Sequence, residues 1–324
     1  MMIVFSLLCL LHSVAQVEAQ SKNNLDKKAA QKLIARTAGS ELTTSLVRVQ
    51  SIQSPDASTT NVIAQVELAF RMMNEAGKWR VVEVRTGDRS WEDVALIANA
   101  ANAPLLKTAC DEQSSATATT QASSAISETA NAMAETAKPS AQPMLQSSVA
   151  LDVKLARCLI AHLVGIELPS DAVRVKEVAP LDISLNSRSS ATVVAEILME
   201  FRLTRGANGK WGVAEIRTGS NLWKNVEEIV RDLNEEKKQR AHAELETIGA
   251  ALEVFKRERG FYVVADTEAA LIDQLAPRYL SKVIRVDPWQ HPYLYQGTRF
   301  NFTLRSAGAD GKPNTEDDIV IRQG

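Results

Sequence analysis

The stretch WRVVEVRTGDRSWEDV, from Trp79 to Val94, returns later in the chain as WGVAEIRTGSNLWKNV, from Trp211 to Val226. Both copies keep Trp79 or Trp211, Glu83 or Glu215, an Arg-Thr-Gly triplet starting at Arg85 or Arg217, and a second tryptophan, Trp91 or Trp223. The likeness extends upstream: Leu25-Asp26 matches Leu151-Asp152, and Val47-Arg48-Val49 matches Val173-Arg174-Val175. One module therefore occurs twice. With 324 residues in all, the chain has room for this pair and one further unit, and is too long for a single compact core.

Each copy opens on a helical apolar pattern, Leu25, Ala29, Leu33 and Ile34 in the first and Leu151, Leu155, Leu159 and Leu163 in the second. A short β-type segment follows, then a long alternating strand. Val62, Ala64, Val66, Leu68 and Phe70 face one way along it, as do Val193, Ala195, Ile197, Met199 and Phe201. Loops with Gly77, or Gly206 and Gly209, return the chain into the Trp79 or Trp211 strand, and Gly87 or Gly219 ends that strand before a closing helix. The expected unit is helix, three strands, helix. Glu83 with Arg85, and Glu215 with Arg217, project from one strand face, where ion pairing or a cross-strand partner is the expected role. The tryptophans are expected to anchor the core.

Between the copies, Ser114 to Ser148 is mostly Ser, Thr and Ala, with Pro139 and Pro143 and no aromatic residue. Such a composition cannot bury enough surface to order itself and reads as a tether. The first residues, MMIVFSLLCLLHSVAQVEAQ, hold an apolar run from Ile3 to about Leu11 and a small-x-Ala ending at Ala19. This reads as a secretory signal, with a short uncleaved anchor as the alternative, since no Lys or Arg precedes the run. The run falls well short of the roughly 20 residues of a membrane helix. Cys9 would leave with the signal. Cys110 and Cys158 remain, free to pair in an oxidising compartment, although Cys158 lies in the apolar run LARCLIAHLV, where a buried free thiol is the simpler expectation. A net charge of −2 and 5% aromatic content offer no footprint for nucleic acid.

The second copy passes into the last unit without a linker. Val226, Ile229, Val230, Leu233, Leu245, Ile248, Leu252 and Phe255 recur at helical spacing up to about Arg259, so one long helix is expected to join the two, with NEEKKQRAHAE as a solvated or kinked middle. Asp287-Pro288-Trp289 and His291-Pro292-Tyr293 set two prolines around an aromatic pair, which suits a fixed turn leading into a short strand. Trp289 and Tyr293 are expected to plug the base of the helix. His291 has no second His or Cys nearby in sequence and reads as a turn residue rather than a metal ligand. Asp310, Asn314, Glu316, Asp317 and Asp318 gather hard oxygen donors of the kind calcium prefers, but not in the EF-hand order, and by themselves they read as a solvated acidic turn.

From Arg240 onward the sequence resembles the globular domain of the type II secretion major pseudopilin. The matching pieces are AELETIGAALEVFKRERGFY (Ala243 to Tyr262), YLSKVIRVDPWQHPYLY (Tyr279 to Tyr295) and FTLRSAGADGKPNTEDDI (Phe302 to Ile319), in the family's order. The resemblance implies a long helix packed on a small antiparallel sheet, and calcium held by the matching loop. Asp310 and Asp318 would be the first ligands and Glu316 or Asp317 the next. Backbone carbonyls between Leu304 and Ala307, including those of Leu304 and Ser306, would complete the shell. The family's Asp-Pro-Trp-Gly-Asn-Pro-Tyr reads Asp-Pro-Trp-Gln-His-Pro-Tyr here, its loop is usually longer and richer in glycine, and its proline after Tyr262 is Val263. The prepilin cleavage site and apolar helix by which the family polymerises are not recognisable at the N-terminus, so filament assembly by the ordinary route is not expected.

The chain is thus read as α+β: signal 1–19, first module 20–110, Ser/Thr/Ala-rich linker 111–148, second module 149–236 and pseudopilin-like domain 237–324. No His-Glu-x-x-His, Gly-x-Ser-x-Gly or phosphate-cradling loop occurs, and the reading is non-catalytic. The expectation is an exported, periplasmic or extracellular, structural or accessory protein of a type II secretion or pilus-like system, with calcium as cofactor and proteins as partners. The alternative is a general cell-envelope binding protein that reuses the pseudopilin-like fold.

Overall fold

The structure, a computed structural model, describes residues 25–37, 42–87, 91–100, 110, 150–163, 168–181, 189–217, 222–265 and 267–324. The signal segment and the tether lie outside the described residues. The protein is α+β, with five α-helices and two antiparallel sheets among the described residues.

Helix α1 (Lys27–Ala35) begins where the Asp26 carboxylate accepts the N–H of Ala29 at 2.7 Å, and α3 (Val153–Ala161) begins the same way, with Asp152 accepting from Leu155 at 2.7 Å. Such caps hold otherwise unpaired N–H groups and contribute about 1 kcal/mol each. Of the expected stripes Leu25, Ile34, Leu159 and Leu163 are buried, and Ala30 and Ala35 in α1 and Ala156, Ile160 and Ala161 in α3 are buried beside them. Small alanines face the sheet and let the helix lie close, while Leu33 and Leu155 sit at the margin.

Strands β1 (Val47–Gln53), β2 (Thr59–Glu75), β3 (Lys78–Arg85) and the two-residue β4 (Glu92–Asp93) precede α2 (Val94–Ala100). Strands β5 (Val173–Leu181), β6 (Ser190–Arg205), β7 (Trp211–Arg217) and β8 (Lys224–Asn225) follow in the same succession. A fourth, very short strand thus adds to the three expected. All eight form one sheet, β4-β3-β2-β6-β7-β8, with β1 on the free part of β2 and β5 on that of β6. Its seam is the antiparallel pairing of β2 with β6, from Thr59 opposite Thr204 to Met73 opposite Ser190.

At the middle of that seam Val66 lies opposite Ile197, its counterpart in the sequence repeat. The flanking pairs exchange places, Ala64 with Met199 and Leu68 with Ala195. An approximate twofold axis therefore passes between Val66 and Ile197, the arrangement of an isologous dimer within one chain. Register shifts fall at corresponding places, Val49/Ser51 with Val175/Glu177 and Arg71/Met72 with Arg202/Leu203.

Strand alternation makes one face of this sheet apolar. Val62, Ala64, Val66, Leu68, Phe70 and Met72 are buried with Val193, Ala195, Ile197, Met199 and Phe201 in a core that α1 to α4 supply from above. On the polar face Glu67 stands opposite Glu196, an arrangement of like charges that needs cations. Lys176 of β5 reaches across to Glu67 at 2.5 Å, and Arg48 of β1 reaches Glu196 at 3.5 Å, so each segment supplies a base to the other's acid.

Helix α4 (Val226–Arg259) runs unbroken for 34 residues, about 51 Å at 1.5 Å per residue. Asn225 caps it, accepting from Glu227 and Glu228. Its buried stripe passes through Val226, Ile229, Leu233, Lys237, Ala241, Leu245, Ile248, Leu252 and Phe255. The middle is therefore not the solvated stretch expected: Lys237 is fully buried and pairs with Glu92 at 2.7 Å, and Arg240 pairs with Asp93 at 2.7 Å. Apolar periodicity hid this because a lysine occupies the stripe position.

The last part of α4, α5 (Glu268–Leu275) and the sheet β11-β10-β9, formed by β9 (Leu294–Gly297), β10 (Phe302–Ser306) and β11 (Ile319–Gln323), enclose a second core. Trp289 packs against both cores, and its indole N–H donates to Asn234 at 3.1 Å. Tyr293 donates to Glu244 at 2.7 Å. Both aromatic residues thus grip the middle of α4 rather than its base.

Candidate metal centre

The acidic loop connects β10 to β11 and rests on the Asp287 turn. Asp287 is buried, and its Oδ1 accepts the N–H groups of Trp289 at 3.0 Å and His291 at 2.9 Å, which closes the turn that the two prolines only outline. Its Oδ2 accepts from the hydroxyl of Ser306 at 2.5 Å, and Ser306 Oγ in turn accepts the N–H of Gly308 at 3.2 Å. Burial pushes the Asp287 carboxyl above its ordinary range, and the hydrogen bonds from Ser306 and the turn only partly offset that push. His291 lies between turn and loop, its Nδ1 donating to the Gly308 carbonyl at 3.1 Å. As expected from sequence, it serves the turn.

Two glycines allow this closeness. At Gly308 (φ +62°) a Cβ would meet the backbone and carboxylate oxygens of Asp317 at 2.5 Å; at Gly311 (φ +65°) it would meet the His291 ring at 2.8 Å. The loop carboxylates are then disposed as follows. Asp317 accepts from the Asp310 N–H at 3.0 Å and the Thr315 hydroxyl at 2.7 Å. Burial pushes its carboxyl up, but these hydrogen bonds outweigh it and hold the group below its ordinary value of 3.8. Asp318 is almost buried; its Oδ2 takes the Arg305 guanidinium at 2.7 Å and the Asn314 N–H at 2.8 Å, while its Oδ1 is buried with no hydrogen-bond partner.

Asp310 is exposed and accepts the Lys312 N–H at 2.8 Å, and Glu316 is exposed. Ser306 is buried and contributes its hydroxyl to Asp287 rather than to the loop acids. Leu304 lies mid-strand between Ile321 and Tyr295, where its backbone belongs to the sheet ladder. The structure thus brings Asp317 and Asp318 into the loop's interior and leaves Asp310 and Glu316 at its rim. Sequence reasoning did not find Asp287 or Arg305. The Asp-Pro pair was a usable signal for the first, since Asp at a turn start bonds to backbone two residues on. Nothing local marked Arg305, which reaches the loop only because β10 and β11 pair.

In the large sheet, Glu83 pairs with Arg71 and Glu215 with Arg202 across neighbouring strands, the ion-pair role expected. Trp79 is buried as expected, but Trp91 and Trp223 are not core anchors. Trp91 lies half-buried between Arg71 and Arg85, guanidinium carbons 4.3 and 4.7 Å from its ring, and Trp223 between Arg202 and Arg217 at 4.1 and 4.7 Å. Cys110 and Cys158 form a disulfide, against the free thiol expected at Cys158; α3 turns that residue toward the end of the first segment.

Residues 228–323 match the family described as type II secretion system (T2SS), protein G. The resemblance read from residue 240 onward is therefore shown, and it begins earlier, near the start of α4. No curated protein and no solved structure matches the chain. Among the described residues no helix is long and apolar enough to cross a membrane.

Proposed function

We propose that this chain is an exported, non-catalytic structural or accessory component of a type II secretion or pilus-like system, with a pseudopilin-like domain stiffened by calcium and paired N-terminal modules that contact other proteins. The family match over 228–323 carries this reading. The manner in which α4 is used supports an accessory role. Its first half, through Val226, Ile229 and Leu233, is buried against the large sheet's core, so the helix is committed within the chain before it reaches the domain.

The residues present suit a calcium ion in one respect above all: Asp318 Oδ1 is a buried acceptor without a donor, which is costly unless a cation reaches it. Asp318 and Asp317 would hold the ion, with Asp310 and Glu316 turning in from the rim and Ser306 and Leu304 as the least available donors. Bound calcium would supply positive charge that draws the loop acids together. Arg305 already neutralises part of Asp318 and would compete with that ion. The alternative, a general cell-envelope binding protein, finds support in the open polar face of the large sheet. The test is binding of the purified full chain to the pseudopilin filament of the same cell, in calcium and in chelator. Calcium-dependent binding is expected, and no binding under either condition would remove the secretion reading.

A further inference from the structure

Cys110, Cys158 and His162 place their two Sγ atoms and Nδ1 within 4.8 Å of one another, the one such group of three among the described residues. Cys158 and His162 stand four residues apart at the end of α3, on one helix face, and Cys110 is brought to them from the end of the first segment. We propose that, once the disulfide is reduced, these three side chains form a binding site for a zinc-class cation, with one coordination position left to water. Two thiolates and an imidazole are the donors that such an ion selects, and a tetrahedral zinc holds its sulfur ligands about 3.8 Å apart, a spacing that the reduced side chains reach by rotating about Cα–Cβ while their Cα atoms stay 6.0 Å apart.

The imidazole is free to turn to the metal. His162 Nδ1 lies 2.9 Å from the Cys158 carbonyl, but that carbonyl also accepts the His162 backbone N–H at 3.0 Å and keeps this bond when the ring leaves. Nδ1 is already 3.6 Å from Cys158 Sγ and 4.0 Å from Cys110 Sγ. The chemistry closes as follows. A trialkylphosphine gives two electrons to the disulfide and becomes its oxide with oxygen from water, whose two protons go to the thiols. Metal binding then releases both thiol protons, and the neutral imidazole moves its own proton from Nδ1 to Nε2. The result is that the first segment stays tied to the second across residues 111–149 in either redox state, by a covalent bond when oxidised and through the metal when reduced.

The test is anaerobic titration of the phosphine-reduced full chain with Co2+, in a Cys9→Ser background. One Co2+ per chain is expected, with an intense thiolate-to-cobalt absorption band, release of two protons and displacement by one equivalent of Zn2+. The band should be absent from the disulfide form, lost in Cys110→Ser and Cys158→Ser, and weakened at least tenfold in affinity by His162→Ala. Excess calcium, which oxygen donors hold and thiolates do not, should leave it unchanged, which separates this site from the acidic loop. A reduced chain without the band, folded or unfolded, overturns the proposal. So does a His162→Ala variant that binds Co2+ with unaltered affinity and spectrum.

Discussion

The two segments on either side of the β2–β6 seam share a pattern yet differ where each meets the rest of the chain. What they hold in common is internal: an Asp cap on the first helix, the alternating strand, and a tryptophan between two arginines on the polar face. What separates them is at the borders. Glu92 and Asp93 in the first segment take Lys237 and Arg240 of α4, whereas their counterparts Lys224 and Asn225 start α4 itself, with Asn225 as its cap. Lys27 and Gln31 in the first segment donate to the Gln50 and Val47 carbonyls along the outer edge of β1, while Val153 and Arg157 stand at the corresponding places beside β5, and Arg157 Nε is buried without a partner. One copy has become a dock for the long helix, and the other its origin.

If that division is right, its largest consequence lies at the dock. Glu92→Ala strips the carboxylate from a buried ammonium and is expected to cost about 3–5 kcal/mol in denaturant unfolding. Lys224→Ala, its exposed counterpart, should stay within about 0.5 kcal/mol. Equal losses would dissolve the distinction. Shared features should respond alike: Trp91→Ala and Trp223→Ala each remove a two-arginine stack, and about 2–3 kcal/mol is expected from either in the same assay. A loss confined to one copy would mean that the stack serves something other than stability. Edge capping gives a smaller contrast. Gln31→Ala should cost about 1 kcal/mol, but Arg157→Ala nothing, because it removes a buried donor that has no acceptor.

The acidic loop gives the smallest effect and one that depends on pH. Asp317 sits below its ordinary value of 3.8, so its contribution is present above that value and is lost as pH falls through the lower folded-state value. In thermal melts without calcium, Asp317→Asn should melt below the parent chain at pH 7, and the gap should close as the solution is acidified below about pH 4. A gap independent of pH would mean that the carboxylate's charge plays no part.

Much of this was legible along the chain. Alternation from Val62 to Phe70 and from Val193 to Phe201 named the buried face, because strand geometry leaves no other reading of such a pattern. The continuity of α4 was legible from its apolar spacing. Its charged middle was not, since a buried lysine is acceptable only with a partner such as Glu92, which lies far away in sequence. The same holds at the candidate site. The acidic run was legible but its order was not: Asp310, ranked first with Asp318, lies at the rim and Asp317 inside, while Arg305 and Asp287 act on the loop through strand pairing and a turn that no short window contains. Trp91 and Trp223 misled because tryptophan usually buries its ring in apolar surroundings, and here guanidinium planes take that place.

The claim that residues 308–318 hold a cation is met most directly by calorimetric titration of calcium into the chelator-treated full chain, with Asp318→Ala and Arg305→Gln measured in parallel. Binding of one ion that is abolished in Asp318→Ala and tightened in Arg305→Gln, where the competing guanidinium is gone, is the predicted result. No heat from the parent chain, or heat that survives Asp318→Ala, would contradict it and leave the loop as an acidic turn neutralised by Arg305 alone.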